Sequence, residues 1–180
     1  MKTVVGNLSD RRLRKSIIRI LRDSELCSMA TLDPRNRPHI NTTYFCYIGL
    51  DDLEIFFLSD TRSSHCRNLS RNPSMAMTIF RTNQPWDAPG RGIQLFGTCS
   101  QTEGKLALKA EQVYAKRFPP YAKWMSSTKK GEKKLAEQLR SYRFCRFLPR
   151  QLKVLDEEEY GGAVFVMVTI KRRNPASKTE

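Results

Sequence analysis

Between Leu26 and Gln101, five short runs rich in β-branched and aromatic residues are cut apart by turn signals, and this constrains the fold more than any other feature. The runs are Leu26–Leu32, Pro38–Ile48, Leu53–Leu58, Met75–Phe80 and Ile93–Gln101. Between them lie Asp33-Pro34-Arg35-Asn36, Gly49-Leu50-Asp51-Asp52, a short helical stretch stopped by Asn72-Pro73, and the long turn Asn83 to Gly90. Strands joined by tight turns, with few helices around them, indicate an antiparallel α+β protein. Gly97 inside the fifth run predicts a bulge or a close backbone approach.

The flanks are helical. Asn7-Leu8-Ser9-Asp10 offers N-cap residues, and Leu13, Ile17, Ile18 and Leu21 follow at helical spacing, which predicts a helix from about Ser9 to Asp23. Gly104 to Phe118 reads as a helix ended by Pro119-Pro120, and 129–140 as a second, strongly basic helix. A sixth strand is expected over Phe144 to Leu155, interrupted or started by Pro149, and a last one over Ala163 to Ile170. The expectation is a single domain over 1–170 with a helical excursion at about 104–140, and a polar, basic tail at 171–180.

Charge is distributed unevenly. The chain carries +14 net, and residues 105–153, with fourteen basic and three acidic residues, hold +11 of it, while 25–104 is nearly neutral. Such a surface favours anionic partners. Aromatic and basic residues do interleave at Tyr142, Arg143, Phe144 and Arg146, but so does a half-buried edge strand, and no nucleic-acid module is recognisable. Nucleic acid is therefore not the expected partner. The five cysteines are widely spaced without a Cys-x-x-Cys pair, which argues against a disulfide framework or structural zinc. No apolar run approaches the roughly 20 residues needed to cross a bilayer. The basic start has no continuous apolar core of a signal peptide. The expectation is a cytoplasmic protein with reduced thiols and no membrane segment.

The chemistry is concentrated in Leu53 to Pro73. A strand delivers the chain into a loop rich in Ser, Thr and Arg, and a helix starts there. The first turn of a helix has unpaired N–H groups and a partial positive charge. With the hydroxyls of Ser63 and Ser64, the His65 imidazole, and Arg62 or Arg67, this makes a plausible phosphate cradle, although such a pattern is more often an ordinary helix cap.

The ordered set Ala30-Thr31-Leu32-Asp33, Arg37-Pro38-His39, Ile55 to Ser59, Ser63-Ser64-His65, Asn68-Leu69, Asn72-Pro73 and Gly92 to Gly97 resembles the pyridoxamine 5′-phosphate oxidase-like superfamily. A looser match follows at Val154-Leu155-Asp156. The resemblance implies a six-stranded antiparallel split β-barrel with peripheral helices, flavin mononucleotide (FMN) as cofactor, and a homodimer with the cofactor at its interface. It implies that Ser63, Ser64 and His65 face the phosphate and that Leu58 and Ser59 lie beside the flavin ring. Asn41, Thr42 and Thr43 fall on the strand that meets the cofactor, and Gln94 matches a flavin-facing glutamine. His65 stands where the oxidases usually carry Lys, and an imidazole is a weaker anion partner than an ammonium. The terminal Arg and His that contact pyridoxal in the oxidases are not reproduced, so vitamin B6 oxidation is not expected.

The resulting expectation is an FMN-dependent oxidoreductase of unknown substrate, drawing electrons from NAD(P)H or another reduced donor, with no residue assigned as catalytic. The alternatives are a protein that binds flavin, deazaflavin (F420) or haem without turnover, and a basic nucleic-acid-binding domain. His39 is a candidate haem or metal ligand, but no cluster of ligating residues surrounds it in the sequence.

Overall fold

A computed structural model describes residues 2–172. The chain runs β1 (Lys2–Val5), α1 (Arg11–Asp23), β2 (Leu26–Leu32), β3 (Pro38–Ile48), β4 (Glu54–Ser59), α2 (Ser64–Arg71), β5 (Ser74–Phe80), β6 (Arg91–Gln101), α3 (Gly104–Arg117), α4 (Pro119–Ser126), α5 (Lys130–Ser141), β7 (Arg143–Asp156), α6 (Glu157–Tyr160) and β8 (Val164–Thr169). Strands pair in the order β7-β4-β3-β2-β5-β6, and β6 returns to β7, so six antiparallel strands close a barrel. β8 extends it antiparallel from the second half of β7, and β1 adds to β8 in parallel.

Closure depends on β7, which reaches across three neighbours. Its first half bridges β4 and β6, and its second half bridges β6 and β8. The strand runs through Pro149 without interruption, contrary to the break expected there. The register shifts between Phe96 and Gly97, which leaves Arg150 as the extra residue. Such a bulge is where a strand tolerates proline. Gly97 does both things its sequence context suggested: it marks the bulge, and it meets backbone closely. A Cβ there would lie 2.1 Å from the Leu148 carbonyl oxygen and 2.7 Å from the Pro149 Cα.

The barrel interior is apolar on the alternate positions of each strand, for instance Cys27 and Met29, Met75, Met77 and Ile79, and Ile93 and Leu95. The helix α1 supplies Leu13, Ile17, Ile20 and Leu21 to the same core. Asp10 is its N-cap, accepting from the backbone of Arg12 and Leu13, so the helix starts two residues later than expected. Asp156, fully buried, ties α1 to the barrel by accepting from Ser16 and pairing with Arg19 at 2.7 Å and Arg91 at 3.3 Å.

A second apolar cluster lies outside the barrel. Cys46, Phe56 and Phe144 point outward from β3, β4 and β7, and are covered by Ala110, Tyr114 and Tyr121 of α3 and α4. The unbroken run Ile55–Leu58 is explained by this arrangement, with one face in the barrel and the other under helices. The Pro119-Pro120 pair ends α3 as expected, but it also starts α4, because proline at the first helical position loses no hydrogen bond. The elements β1, α4 and α6 were not anticipated. Past Arg172 the polar tail lies outside the described residues.

Candidate functional site

The helix α2 enters from β4 through a tight loop. Asp60 accepts from the Arg62 backbone N–H at 2.8 Å and holds the Arg62 guanidinium at 2.9 Å. Arg62 is thereby committed to its own loop. Ser63 is the N-cap, accepting from Cys66 N–H at 3.4 Å. The His65 Nε2 lies 2.6 Å from Ser59 Oγ and 3.1 Å from Ser63 Oγ. His65 and Ser59 are 6% and 7% exposed, and with half-buried Ser63 they form a latch between the end of β4 and the start of α2. One turn further along the helix, Asn68 donates to Thr31 Oγ1 at 3.1 Å, fixing α2 to β2.

The outer face of α2 is different. Ser64, Arg67 and Arg71 recur at helical spacing and, with buried Asn68 behind them and Arg37 and His39 at the start of β3, line a hollow of about 520 Å³. The hairpin beside it is rigidly built. Asp33 accepts from the backbone N–H groups of Arg37 and Arg35 and from the Arg37 side chain, and these bonds hold its carboxyl below the usual range. Asn36 takes the left-handed conformation the turn needs, at φ 57°. Arg67 donates to Ser64 Oγ at 3.2 Å and to the Arg62 carbonyl. Arg71 has no carboxylate partner among the described residues. With Arg37 paired to Asp33 at 2.7 Å, Arg67 and Arg71 leave an excess of positive charge at this mouth, which favours an anion over a cation. The two histidines stand close by, their rings nearly parallel with centroids 6.5 Å apart. Among the described residues no cluster of three His, Cys, Asp or Glu side chains suits a metal ion.

The nine residues singled out from the sequence do not fall into one cavity of one chain. Ser64 lines the basic hollow, and Ser59, Ser63 and His65 bond to one another just beneath it. Thr42 lies on the outer wall of the barrel, 3.1 Å from Ser28 Oγ. Asn41 and Thr43, half-buried, alternate to the opposite side of β3. Gln94 is on the outer wall too, in a shallow groove of about 290 Å³ with Ala30, Ile40, Ala76 and Phe96. Leu58 opens onto a third hollow, beneath α3 and α4. Sequence reasoning missed Arg71, although the spacing Ser64, Arg67, Arg71 marks one helical face. It also missed the third hollow, whose walls come from distant parts of the chain.

The outer wall formed by β2, β5 and the facing parts of β3 and β6 carries Ser28, Ala30, Thr42, Ala76, Thr78 and Gln94, and among the described residues the groove on it is lined by strand residues alone. Ile40 and Phe96 on its rim are 70% and 40% exposed.

The family model described as pyridoxamine 5′-phosphate oxidase matches residues 13–149. Among solved structures the chain is similar to the haem storage protein HutZ from Vibrio cholerae, at 20% identity and TM-score 0.62, covering 80% of this chain and 95% of that one. It is similar to a haem-binding protein from Mycobacterium smegmatis, at 12% identity and TM-score 0.65, covering 92% and 60%. A third is a Clostridium acetobutylicum protein related to general stress protein 26, of the pyridoxinephosphate oxidase family, at 12% identity and TM-score 0.61, covering 89% and 96%. At these identities the likeness is one of fold. No curated protein matches the sequence.

Proposed function

This chain belongs to the pyridoxamine 5′-phosphate oxidase-like family, and from that premise we propose that it binds FMN as a homodimer and acts as an oxidoreductase. The observation that carries the reading is the basic hollow on α2. Arg37, Arg67 and Arg71 supply charge, Ser64 supplies a hydroxyl, and the start of α2 supplies unpaired N–H groups. This donor set fits a phosphate monoester. Bound flavin would supply the electron-transfer chemistry, with NAD(P)H or another reduced donor feeding it.

The residues of the chain then divide the work. The arginines hold the anionic end. The latch of His65, Ser59 and Ser63 fixes where α2 begins, and so fixes the angle at which Ser64 and Arg67 meet the phosphate. His65 acts in this reading as a positioning residue, because its ring nitrogen is occupied by two hydroxyls. A second copy would cover the bare outer wall. That wall is made of small and neutral side chains, which let another surface approach closely, and it carries exposed Ile40 and Phe96 to anchor it. Gln94 and Thr42 would face the cofactor only in that assembly. All five cysteines are unpaired, which supports a reducing compartment such as the cytoplasm.

One observation favours haem as a second reading. His39 lines the hollow beside the three arginines, which suit propionates as well as phosphate. The test is a pair of titrations of the apo-protein with FMN and with riboflavin, and a third with hemin. Quenched flavin fluorescence, lost selectively for FMN in Arg67→Gln/Arg71→Gln, supports the proposal. Equal affinity for FMN and riboflavin refutes the phosphate role of the hollow, and a Soret band abolished by His39→Ala selects haem instead.

A further inference from the structure

Three of the five cysteines converge on a fourth hollow, of about 310 Å³, on another side of α2 from the basic one. Cys66 comes from the first turn of α2, Cys99 from β6 and Cys145 from β7. On the β6–β7 ladder Cys145 pairs with Gln101 and Phe147 with Cys99, so the two strand cysteines are diagonal neighbours on one face. Cys145 hydrogen-bonds with both of the other thiols. Cys99 and Cys145 are 2% and 5% exposed, Cys66 is half-buried, and Ser70, Pro73, Ser100 and Gln101 form an exposed rim around the hollow.

No charged side chain lines this hollow, and sulfur is its strongest ligating atom. The hydrogen bond to Cys145 and burial push the Cys66 thiol up to about 12, so the thiolate that peroxide chemistry needs is scarce at neutral pH. A cation that displaces the thiol proton is the better match, and sulfur ligands select a soft one. Zinc takes four ligands, and calcium and magnesium take oxygen. Among the described residues no three His, Cys, Asp or Glu side chains are placed to share an ion. Two thiolates are enough for Cu(I), which accepts linear coordination by a pair of sulfurs.

We propose that Cys66 and Cys145 hold a soft monovalent cation, Cu(I), between their sulfurs at the base of this hollow. Both S–H bonds break as a Cu–S bond forms to each sulfur, the protons pass to water, and copper keeps its oxidation state. The pair of thiolates leaves the bound unit with a single negative charge. Cys66 lies in the first turn of α2, whose partial positive charge offsets it. Cu(I) binding uses no residue that lines the basic hollow, so this reading and the flavin reading fail separately.

The full chain, reduced and kept free of oxygen, is titrated against Cu(I) supplied as its coloured bicinchoninate complex, which fades as copper leaves it. Uptake of about one Cu(I) per chain is expected, with a new near-ultraviolet absorption from the copper–thiolate bonds. Cys66→Ser and Cys145→Ser should each weaken uptake at least about tenfold, the equivalent of about 1.4 kcal/mol, and remove the new absorption. Cys27→Ser, at a buried cysteine outside the hollow, should change neither. Cys66 is half-buried, so Cys66→Ser decides the matter if Cys145→Ser lowers the melting temperature. Failure of the chain to take copper from bicinchoninate, uptake that Cys27→Ser reduces as much as Cys66→Ser does, or uptake unchanged in both Cys66→Ser and Cys145→Ser overturns the proposal.

Discussion

Asp156→Asn is the substitution whose cost the structure defines most sharply. The carboxylate is fully buried and accepts from Ser16, Arg19 and Arg91, which belong to α1 and β6. Asparagine keeps the shape but loses the charge, and it turns an acceptor into an amide donor facing two guanidiniums. Breaking a buried pair by neutralising one side costs about 3–5 kcal/mol. Two features pull the value down here. The Arg19 and Arg91 side chains are 19% and 17% exposed, and both also reach Glu158. The low end, about 3 kcal/mol, is therefore expected, which for a chain of this size lowers Tm by roughly 6–12 °C. The pH dependence supplies an independent check. Burial alone would raise the Asp156 pKa, but the Ser16 and Arg19 hydrogen bonds and the charges of Arg91 and Arg19 outweigh it and hold the carboxyl below the usual range. Its contribution is then fully present above the unfolded-state value of about 3.9 and is lost as the pH falls towards the lower folded value. Thermal unfolding of both proteins between pH 2 and 7 reads both effects. The wild type should lose its advantage over the variant as the pH drops below about 4. A Tm difference under about 2 °C at pH 7, or a difference that stays constant into acid, would refute the account of Asp156 as a charged tie between α1 and the barrel.

Three further outcomes are expected. Gly97→Ala should cost about 3 kcal/mol, the upper end for overpacking, because the clashing atoms are the Leu148 and Pro149 backbone, which cannot turn aside; chemical denaturation measures it, and a loss below about 1 kcal/mol would mean that β7 shifts freely. Ser63→Ala removes the N-cap of α2 and one hydroxyl on His65, and should cost about 1 kcal/mol by the same assay. For the proposed dimer, light scattering should give twice the 20.9 kDa chain mass, and Ala76→Arg on the bare wall should yield a folded monomer; an unchanged dimer in that variant would move the interface elsewhere.

Much of the barrel was legible because its signal is local. A strand with one face in a core must alternate, and Leu26–Leu32 and Ser74–Phe80 do so residue by residue. The four residues of β1 carry no such signal, and their partner in β8 is about 160 residues away. The start of α2 was readable as a cap or cradle, since both use the same Ser and N–H chemistry, and the structure sets the two serines apart. Ser63 caps and joins the latch, while Ser64 faces the hollow. What decides this is the contact of His65 with Ser59, made across the loop. Spacing cannot show which way a histidine turns at a helix start, because both sides of α2 offer it a polar neighbour.

The run Ile55–Leu58 shows most directly where sequence reasoning reaches its end. Four consecutive apolar residues on a barrel strand require cover on the outer side, and either a helix or a second subunit supplies it. The answer depends on Tyr114 and Tyr121, which lie more than fifty residues downstream and cover Phe56 in the fold. This run therefore lends no support to a dimer. The support comes from another wall, where Ser28, Ala30, Ala76 and Thr78 lie in facing pairs across β2 and β5, with no helix lining the groove there among the described residues. Small residues in a row attract no notice in a sequence scanned for hydrophobic runs. Folded together, they make a flat surface on which another backbone can come close, and the residues matched to the flavin, Thr42 and Gln94, lie on that surface. Under the proposed function, a cofactor site that needs both the α2 hollow and this wall would be incomplete in one chain, so the separation of the candidate residues into different hollows makes the oligomer and the cofactor two parts of one test.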